Sequence, residues 1–576
     1  PDGEWVTYGY GPGGQLATMQ GEKDGNTYDY IKAITYDEFD RMTGKTLGNG
    51  SREEMSFDQL TQRPQSLKVA TNGTTLQDLR LRYDVVGNLE SREQAATGAE
   101  GIGGTHREQF VYDPLHRLTE ATGDFSLVGS EESYAYFADH DGLYNQTRRE
   151  LQRTVNGEPD RLNSFDQSLI ADPQHPHQIA ELGGRSYNYD ANGNLLGYQG
   201  EAGSYRYQQS RWDEENRLME FSDNGTISRY TYAADGGRAI QSEGAMKGVF
   251  TDGAPAGFIS HSGEYVAYVS PYFTFTDRTF TKHYFIGDQR ILTKEGTGEF
   301  NNSYWPYGGL TAGDLNYTER MNDLTQTVWN YYVGLGLPPG PPTLPGYYGQ
   351  PGVTGDPLPT STGGDFSSAP GLGQSGPNGA PTTDGPPGSP TLFVSSPERD
   401  SIGVGYGYEG YGVFPEVVTS FYHTDQLGNV TWITDGRGEA ASFRAYLPTG
   451  ELLAEQTKSP PPLNYTFNGK EEDPASGLHF FGARYLEAES GRWLSIDPLA
   501  DAYPGHNPYA FGLHNPLRFV DPDGREAYDL FTSRLGAAID FARIYNKRSI
   551  QRNWEFGTNI YKTKLNGRTA YYYDRP

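Results

Sequence analysis

The most regular pattern along the chain is an aromatic residue, an Asp, two or three turn residues, Arg or Asn, and then an apolar residue. It recurs in six segments: YDEFDRM from Tyr36, RYDVVGNLES from Arg82, VYDPLHRLTEA from Val111, YNYDANGNLLGY from Tyr187, WDEENRLMEF from Trp212 and YTYAADGGRAIQ from Tyr230. Each segment predicts strand, tight turn and strand, because pairs such as Asn192-Gly193 and Gly87-Asn88 tolerate positive φ. Repeated hairpins need neighbours to bury their faces, so the sequence predicts a large all-β array.

Two later regions differ in pattern. Residues 240–335 continue the strand-like alternation, as in EYVAYVSPYFTFTDRTFTKHYFIGDQRILTK, and predict more sheet. Residues 337–397 are dominated by Pro, Gly, Ser and Thr, with almost nothing apolar to bury. We interpret them as a long insertion between two strands.

The pattern changes again after Arg525. Apolar residues then recur near helical period, at Leu530, Phe531, Leu535, Ala538, Ile539, Ala542 and Ile544. A strand, an Asn566-Gly567 turn and a second strand are predicted to follow, and this tail is basic. We therefore divide the chain into repeats (1–336), insertion (337–397), further repeats (398–494), a closing segment (495–525) and the start of an α+β domain (526–576).

Composition supports an all-β fold and excludes several classes of site. Hydrophobic residues are 35% of the chain and aromatics 13%, with 43 Tyr, a residue that suits pleated surfaces. Cysteine is absent, which excludes disulfides and Cys-zinc sites, and no apolar run is long enough to span a membrane. The net charge of −28 disfavours nucleic-acid binding, and indicates either solubility or an acidic inner surface for a basic cargo. Both ends look like the middle of a longer protein.

The candidate chemistry lies in the closing segment, at Asp497-Pro498 and Asp521-Pro522. Two carboxylates held close together cannot both ionise cheaply, so one becomes an acid and the other a base. Such a pair can activate water and protonate a leaving group. Asp523 is an alternative second carboxylate. The other interpretation is that Asp-Pro and Asp-Gly only form turns.

Two arginines flank these carboxylates, Arg484 in GARYL and Arg492 in GRWLS. Either could orient a carboxylate or depress its pKa, or else pair with carboxylates elsewhere in a structural role.

The remaining motifs predict no cofactor and no metal site. GYGPGG and GYGYEG match a dinucleotide-binding pattern, but neither opens a helix after a strand. Asp190, Asn192 and Asn194 resemble the start of a calcium loop without its distal Glu, so a hairpin turn is the better interpretation. His175 and His177 lack a third ligand nearby.

The aromatic-Asp segments resemble YD repeats. Together with YHTDQLGNVTWITDGRGEAASFRAYLPTGELL and NGKEEDPASGLHFFGARYLEAESGRWLSIDPL, the chain resembles the core of RHS-repeat toxins. That family includes the C component of insecticidal toxin complexes and is related to the YD shell of teneurins. The resemblance implies a large hollow shell of spiralling antiparallel β-hairpins, with a C-terminal toxin inside and a plug that closes it.

The resemblance also implies self-cleavage by an aspartyl mechanism directly after the second Asp-Pro motif, here at Arg525–Glu526. The family pattern is Asp-Pro-x-Gly twice, followed by Leu. This chain has Asp497-Pro498-Leu499-Ala500 and places Arg525 where Leu is usual. The implied partners are the chain's own toxin as cargo, a secretion or contractile injection apparatus and an immunity protein, and the implied location is outside the producing cell. Two alternatives remain open: a non-enzymatic glycan-binding adhesion shell, and a shell whose junction is not cut.

Overall fold

The computed structural model describes residues 4–23, 25–200, 207–223, 226–251, 254–276, 279–287, 289–297, 299–302, 408–411, 416, 418–458, 465–502, 505–525, 528–529, 560–565 and 568–573. Predictions for the insertion 337–397, for the helix after Arg525 and for Glu526 fall outside these residues.

One antiparallel sheet of 29 strands makes up most of the described chain. Nearly every strand pairs with the strands before and after it, so the sheet is a succession of hairpins. Its strands are β1 (Trp5–Tyr10), β2 (Leu16–Lys23), β3 (Asn26–Tyr36), β4 (Met42–Leu47), β5 (Arg52–Phe57), β6 (Pro64–Thr71), β7 (Thr74–Tyr83), β8 (Leu89–Gln94), β9 (Gly104–Tyr112), β10 (Leu118–Leu127), β11 (Ser130–His140), β12 (Gln146–Val155), β13 (Glu158–Pro159), β14 (Phe165–Ala171), β15 (Ile179–Leu182), β16 (Arg185–Tyr189), β17 (Leu195–Gln199), β18 (Tyr207–Trp212), β19 (Leu218–Asp223), β20 (Thr226–Tyr232), β21 (Arg238–Thr251), β22 (Ala254–Ser270), β23 (Phe273–Phe275), β24 (Thr279–Ile286), β25 (Gln289–Thr297), β28 (Val418–Thr424), β29 (Val430–Asp435), β30 (Ala440–Tyr446) and β31 (Leu452–Thr457).

The other strands form four small sheets. They are β26 (Glu299–Asn302) with β27 (Tyr408–Tyr411); β32 (Glu471–Glu472), β33 (Leu478–Phe480), β34 (Tyr485–Glu487) and β35 (Arg492–Trp493); β36 (Phe519–Val520) with β37 (Tyr528–Asp529); and β38 (Ile560–Leu565) with β39 (Arg568–Tyr573). Three short 3₁₀ turns lie at Phe467–Gly469, Ala500–Ala502 and Phe511–His514. The all-β prediction is confirmed, and no helix in the described ranges is long and apolar enough to cross a membrane.

A single Asp side chain organises most of the repeated turns; the Tyr230 segment, with Ala233 at this position, is an exception. At Asp113, Oδ1 accepts the backbone N–H groups of Leu115 and Arg117, both at 2.9 Å, and Oδ2 accepts Arg117 Nε at 2.7 Å. His116 between them has a φ of 66°, the conformation that favours Gly, Asn or His. The same pair of backbone bonds occurs at Asp37, Asp84, Asp141, Asp190, Asp213, Asp425 and Asp435. These turns, which we call Asp turns, explain the spacing of Asp and Arg or Asn in the repeat.

In several repeats the aromatic residue bonds to the repeat before. The Tyr112 hydroxyl donates to the Leu89 carbonyl at 2.8 Å, the Trp212 indole to Leu195 at 2.8 Å and the Tyr232 hydroxyl to Leu218 at 2.7 Å. A Leu at the aromatic position would fill space but leave the buried carbonyl without this donor. This contact accounts for the preference for Tyr and Trp over aliphatic residues.

The long sheet folds back so that its early strands face its late ones. The largest apolar cluster joins residues of β6 to β12 with residues of β29 to β31, including the fully buried Trp432. Polar bonds cross the same contact: His423 Nδ1 lies 2.8 Å from Glu53 Oε1, and Arg92 Nη1 lies 3.2 Å from Asp425 Oδ2. The four-stranded sheet β32 to β35 packs against β17, β19 and β20 through Leu478 and Tyr485, and against Tyr446 of β30 through Leu486 and Trp493.

Candidate active site

The three central site residues lie at the ends of short strands. Arg484 directly precedes β34, Asp521 directly follows β36, and Asp497 follows β35 after three residues.

One guanidinium nitrogen brings both carboxylates together. Arg484 Nη2 lies 2.9 Å from Oδ2 of Asp497 and 2.9 Å from Oδ2 of Asp521. The side chains of Arg484 and Asp521 are 2% and 0% exposed, whereas that of Asp497 is 19% exposed. The arrangement is thus a buried carboxylate pair with a shared cation and solvent access at the Asp497 end.

The chain that leads to the predicted junction is wrapped around Asp521. Its Oδ1 accepts the N–H groups of Gly524 at 2.8 Å and Arg525 at 3.0 Å. Gly524 has a φ of 76°, and a Cβ there would lie 2.9 Å from the Arg484 backbone nitrogen, so the tight turn requires glycine.

Three further hydrogen bonds, donated by residues 470–484, hold the backbone of residues 522–524. Arg484 Nε donates to the Gly524 carbonyl at 2.5 Å, Lys470 Nζ to the Pro522 carbonyl at 2.6 Å, and the Ala483 N–H to the Asp523 carbonyl at 2.9 Å. Residues 521–525 are therefore held on both their side-chain and backbone groups.

Burial sets the electrostatics of the pair. It raises the pKa of Asp497 and of Asp521, while the Arg484 charge acts in the opposite direction on both. The Asp523 charge raises the pKa of Asp521 further. Burial also lowers the pKa of Arg484, against the pull of both carboxylates. A pair of this kind retains a proton to higher pH than isolated Asp side chains would.

Asp523 and Arg492 occupy different places from the pair. Asp523 is exposed, and its Oδ1 accepts the Arg525 N–H at 3.1 Å. Arg492 Nη2 donates to the His177 carbonyl at 2.9 Å, and its guanidinium lies over the Tyr509 ring. Of the two arginines, Arg484 alone is placed within the described contacts to orient the carboxylates.

From the sequence we predict that the core of the closing segment consists of Trp493, Tyr503, Tyr509 and Phe511, but the described members split into two groups. Trp493 packs edge-on against Phe511 and Phe481, at ring-centre distances of 5.3 and 5.0 Å. Tyr509 instead packs against Tyr189 of the repeats at 5.7 Å. Tyr503, the fourth predicted member, lies outside the described residues.

Sequence reasoning missed Lys470 and the contacts of residues 505–518, a segment we call the strap. From the sequence we predict only turns at Asn507-Pro508 and Asn515-Pro516. Asn507 Nδ2 donates to Asn145 Oδ1 at 2.9 Å, and Asn515 Nδ2 donates to the His116 carbonyl at 2.7 Å. The local signal for these contacts is weak, because their partners lie hundreds of residues away. No group of His, Cys, Asp or Glu in the described ranges is placed to hold a metal ion.

Comparison with known proteins finds local similarity to several bacterial toxins. It is 40% identical over 98 residues to the toxin subunit YenC2 of Yersinia entomophaga, which is 16% of this chain and 10% of that protein. It is 35% identical over 115 residues to the toxin protein Tse5 of Pseudomonas aeruginosa, which is 19% of this chain and 8% of that protein. It is 33% identical over 115 residues to the tRNA nuclease WapA of Bacillus subtilis, at 18% and 5% coverage. No family model matches the chain.

Solved structures show the same fold over nearly the whole chain. The crystal structure of TcdB2-TccC3 matches 91% of this chain and 21% of its own, with a TM-score of 0.59 and 17% identity. A structure of TcdB2-TccC3-Cdc42 matches 94% of this chain and 21% of its own, with a TM-score of 0.57. The chain spans about a tenth or less of the curated relatives reported above. The predicted resemblance to RHS-repeat toxin shells is confirmed.

Proposed function

We propose that the 29-stranded sheet, which we call the wall, and residues 495–525, the closing segment, belong to a shell that encloses a toxin. We also propose that the chain hydrolyses its own Arg525–Glu526 bond with Asp497 and Asp521. The observation that carries the proposal is the position of Arg484, whose Nη2 lies 2.9 Å from both carboxylates. Asp521 is at the same time bonded to the N–H of Arg525, the residue before the junction. The pair, its cation and the residue that precedes the proposed cut thus lie in one cluster.

The reaction is a peptide hydrolysis that needs only water. The ionised carboxylate of the pair takes a proton from water as the water oxygen bonds to the Arg525 carbonyl carbon. The protonated carboxyl gives its proton to the Glu526 nitrogen, and the C–N bond breaks. One proton enters the pair and one leaves it, so the pair is restored.

The raised pKa of both carboxyls supports this division of roles. A general acid must keep its proton near the working pH, and burial of the pair favours the neutral form of one member. Arg484 offsets the remaining negative charge and orients both oxygens. Because the substrate is part of the same chain, proximity replaces substrate binding.

The released piece is proposed to be the toxin, and the shell its container. The similarity to toxin subunits supports this, and so does the contrast between a basic tail after Arg525 and a chain of net charge −28. We further propose that the protein leaves its cell through a secretion or contractile injection apparatus, and that an immunity protein protects the producer.

The distribution of aromatics favours this proposal over a glycan-binding shell. Tyr and Trp side chains mostly lie in the walls, where they bond to the neighbouring repeat or to the closing segment. The clearest exposed cases, Trp5 and Tyr10, lie on β1, and Tyr272 follows β22. A glycan platform would need contiguous exposed rings across the sheet.

The test is intact-mass analysis of the purified chain and of Asp497→Asn and Asp521→Asn variants, with the exposed Asp501→Asn as matched control. We expect the parent chain and the control to split after Arg525, and the two site variants to stay whole. A parent chain that never splits would overturn self-cleavage. Variants that split as fast as the parent would overturn the assignment of the two carboxylates.

A further inference from the structure

The strap contacts four successive Asp turns of the wall. Besides the two asparagine contacts, Arg518 Nη1 donates to the Val86 carbonyl at 2.8 Å. His514 Nε2 lies 3.0 Å from the Tyr144 carbonyl, and the Tyr509 hydroxyl donates to the Gly193 carbonyl at 2.7 Å. The strap therefore runs along the turns that begin at Asp84, Asp113, Asp141 and Asp190.

The strap also carries a group of the candidate active site. The Pro508 carbonyl accepts Arg484 Nη1 at 3.3 Å and the Asp497 backbone N–H at 3.2 Å. Pro508 is held between two wall-anchored residues, Asn507 and Tyr509. The position of Arg484 and of Asp497 thus depends on where the strap lies on the wall.

Asn145 is the wall residue that bonds directly to Asn507, the neighbour of Pro508 in the chain. It is 5% exposed, and Asn507 is 3% exposed, so their hydrogen bond is shielded from water. Asn145 Nδ2 donates in turn to Asp141 Oδ2 at 2.9 Å, which fixes its amide within the Asp turn. Loss of the Asn145 acceptor would leave a buried donor on Asn507 unpaired, which costs more than an exposed bond would.

We propose that Asn145 is a positioning residue for self-cleavage, acting through Asn507 and the Pro508 carbonyl on Arg484 and Asp497. The proposal rests on the self-cleavage proposed above. If Asn145 acts in this way, the carboxylate pair can cut the chain only when the strap has docked on the turns of the wall. Cutting then follows closure of the wall, and a chain whose repeats have not yet formed does not release its cargo.

The experiment follows cutting in time during cell-free synthesis, with a short labelling pulse and intact-mass or gel analysis of the full chain. Asn145→Ala removes the wall side of the contact. Tyr509→Phe is a milder second variant that removes the hydroxyl and its bonds to the Gly193 carbonyl and the Gln178 amide. Arg217→Ala is the matched control, since it truncates the same position of an Asp turn whose described contacts do not include the strap.

We expect Asn145→Ala to slow cutting by about 10- to 100-fold, as for small displacements of reacting groups, and Tyr509→Phe to slow it less. We expect Arg217→Ala to cut like the parent. The rate should also be measured against pH. Arg484 lowers the pKa of both carboxyls, so its displacement should move the acidic limb of the profile to higher pH.

Two outcomes overturn the inference without touching self-cleavage. One is parent-like cutting by both Asn145→Ala and Tyr509→Phe while Asp521→Asn stays whole. The other is slower cutting with an unmoved pH profile and an equal effect of Arg217→Ala, which would reduce Asn145 to a structural role. If neither the parent nor any variant is cut, the failure belongs to the proposed function instead.

Discussion

At the scale of single residues, the site depends on which of two similar arginines reaches the carboxylates. Arg484 and Arg492 both lie in Gly- and aromatic-rich stretches, and the sequence gives no reason to prefer one. The structure separates them, because Arg484 lies beside Asp521 whereas Arg492 faces the carbonyl of His177. The pairing of Asp497 with Asp521 was predictable from their repeated Asp-Pro context; the choice of cation was not, since it depends on packing between distant strands.

The exposed Asp523 offers a way to change the pKa of Asp521 without altering either carboxylate of the pair. Its negative charge raises the pKa of Asp521, so Asp523→Asn should lower that pKa and move the acidic limb of the cutting profile to lower pH. The measurement is the rate of cutting against pH at low ionic strength, repeated in high salt, where screening should shrink the shift. A chain that no longer cuts would instead identify Asp523 as the second carboxylate, and an unchanged profile would remove it from the site.

At the scale of elements, the Asp turn is the unit that the sequence encodes most completely. Aromatic, Asp, turn and Arg or Asn positions predicted hairpins, and hairpins occur at each of the quoted repeats. The reason is that the bonds that form the turn join the Asp side chain to groups within four residues of it. The strap contacts could not be predicted in this way, because Asn507 and Asn145 are 362 residues apart and neither has a local pattern that requires the other.

The Asp turn should stabilise the protein in a pH-dependent manner. Hydrogen bonds from Arg117 and Leu115 outweigh burial and hold the pKa of Asp113 below its usual value. A lowered carboxyl pKa contributes stability above the unfolded-state pKa, and that contribution is lost as the pH falls through the folded-state pKa. Asp113→Ala should therefore cost about 1–3 kcal/mol near neutral pH, and less at an acidic pH below the folded-state pKa of Asp113.

Urea unfolding at both pH values measures the difference. The control is Asp124→Asn, an exposed position on β10, which should change the free energy of unfolding little at either pH. An Asp113→Ala cost that stays constant with pH would contradict the ionic origin of the effect.

At the scale of the whole molecule, the sheet is continuous across the segment that the sequence identifies as an insertion. β25 pairs directly with β28, with Leu292 opposite Phe421. The wall therefore does not depend on residues 337–397 for its strand order. What the composition could not predict is that early and late strands face each other, since this follows from how the long sheet folds back.

Deletion of residues 337–397 should leave the wall intact. Closing a shorter loop costs less conformational entropy, so the deletion should stabilise the wall by about 0.8 kcal/mol or less. Thermal unfolding of the deleted and full chains, with circular dichroism of the β signal, is the measurement. A large loss of stability would show that the segment packs on the wall.

The way in which residues 521–525 are held has a consequence for what happens after a cut. The donors that hold this segment are Lys470, Ala483 and Arg484, which all precede the junction in the chain. They bond to the carbonyls of residues 522–524, which also precede it. Hydrolysis after Arg525 would leave the new chain end seated where a second substrate would have to enter. Such a catalyst would complete a single turnover. The shell would then not cleave the cargo that it has released.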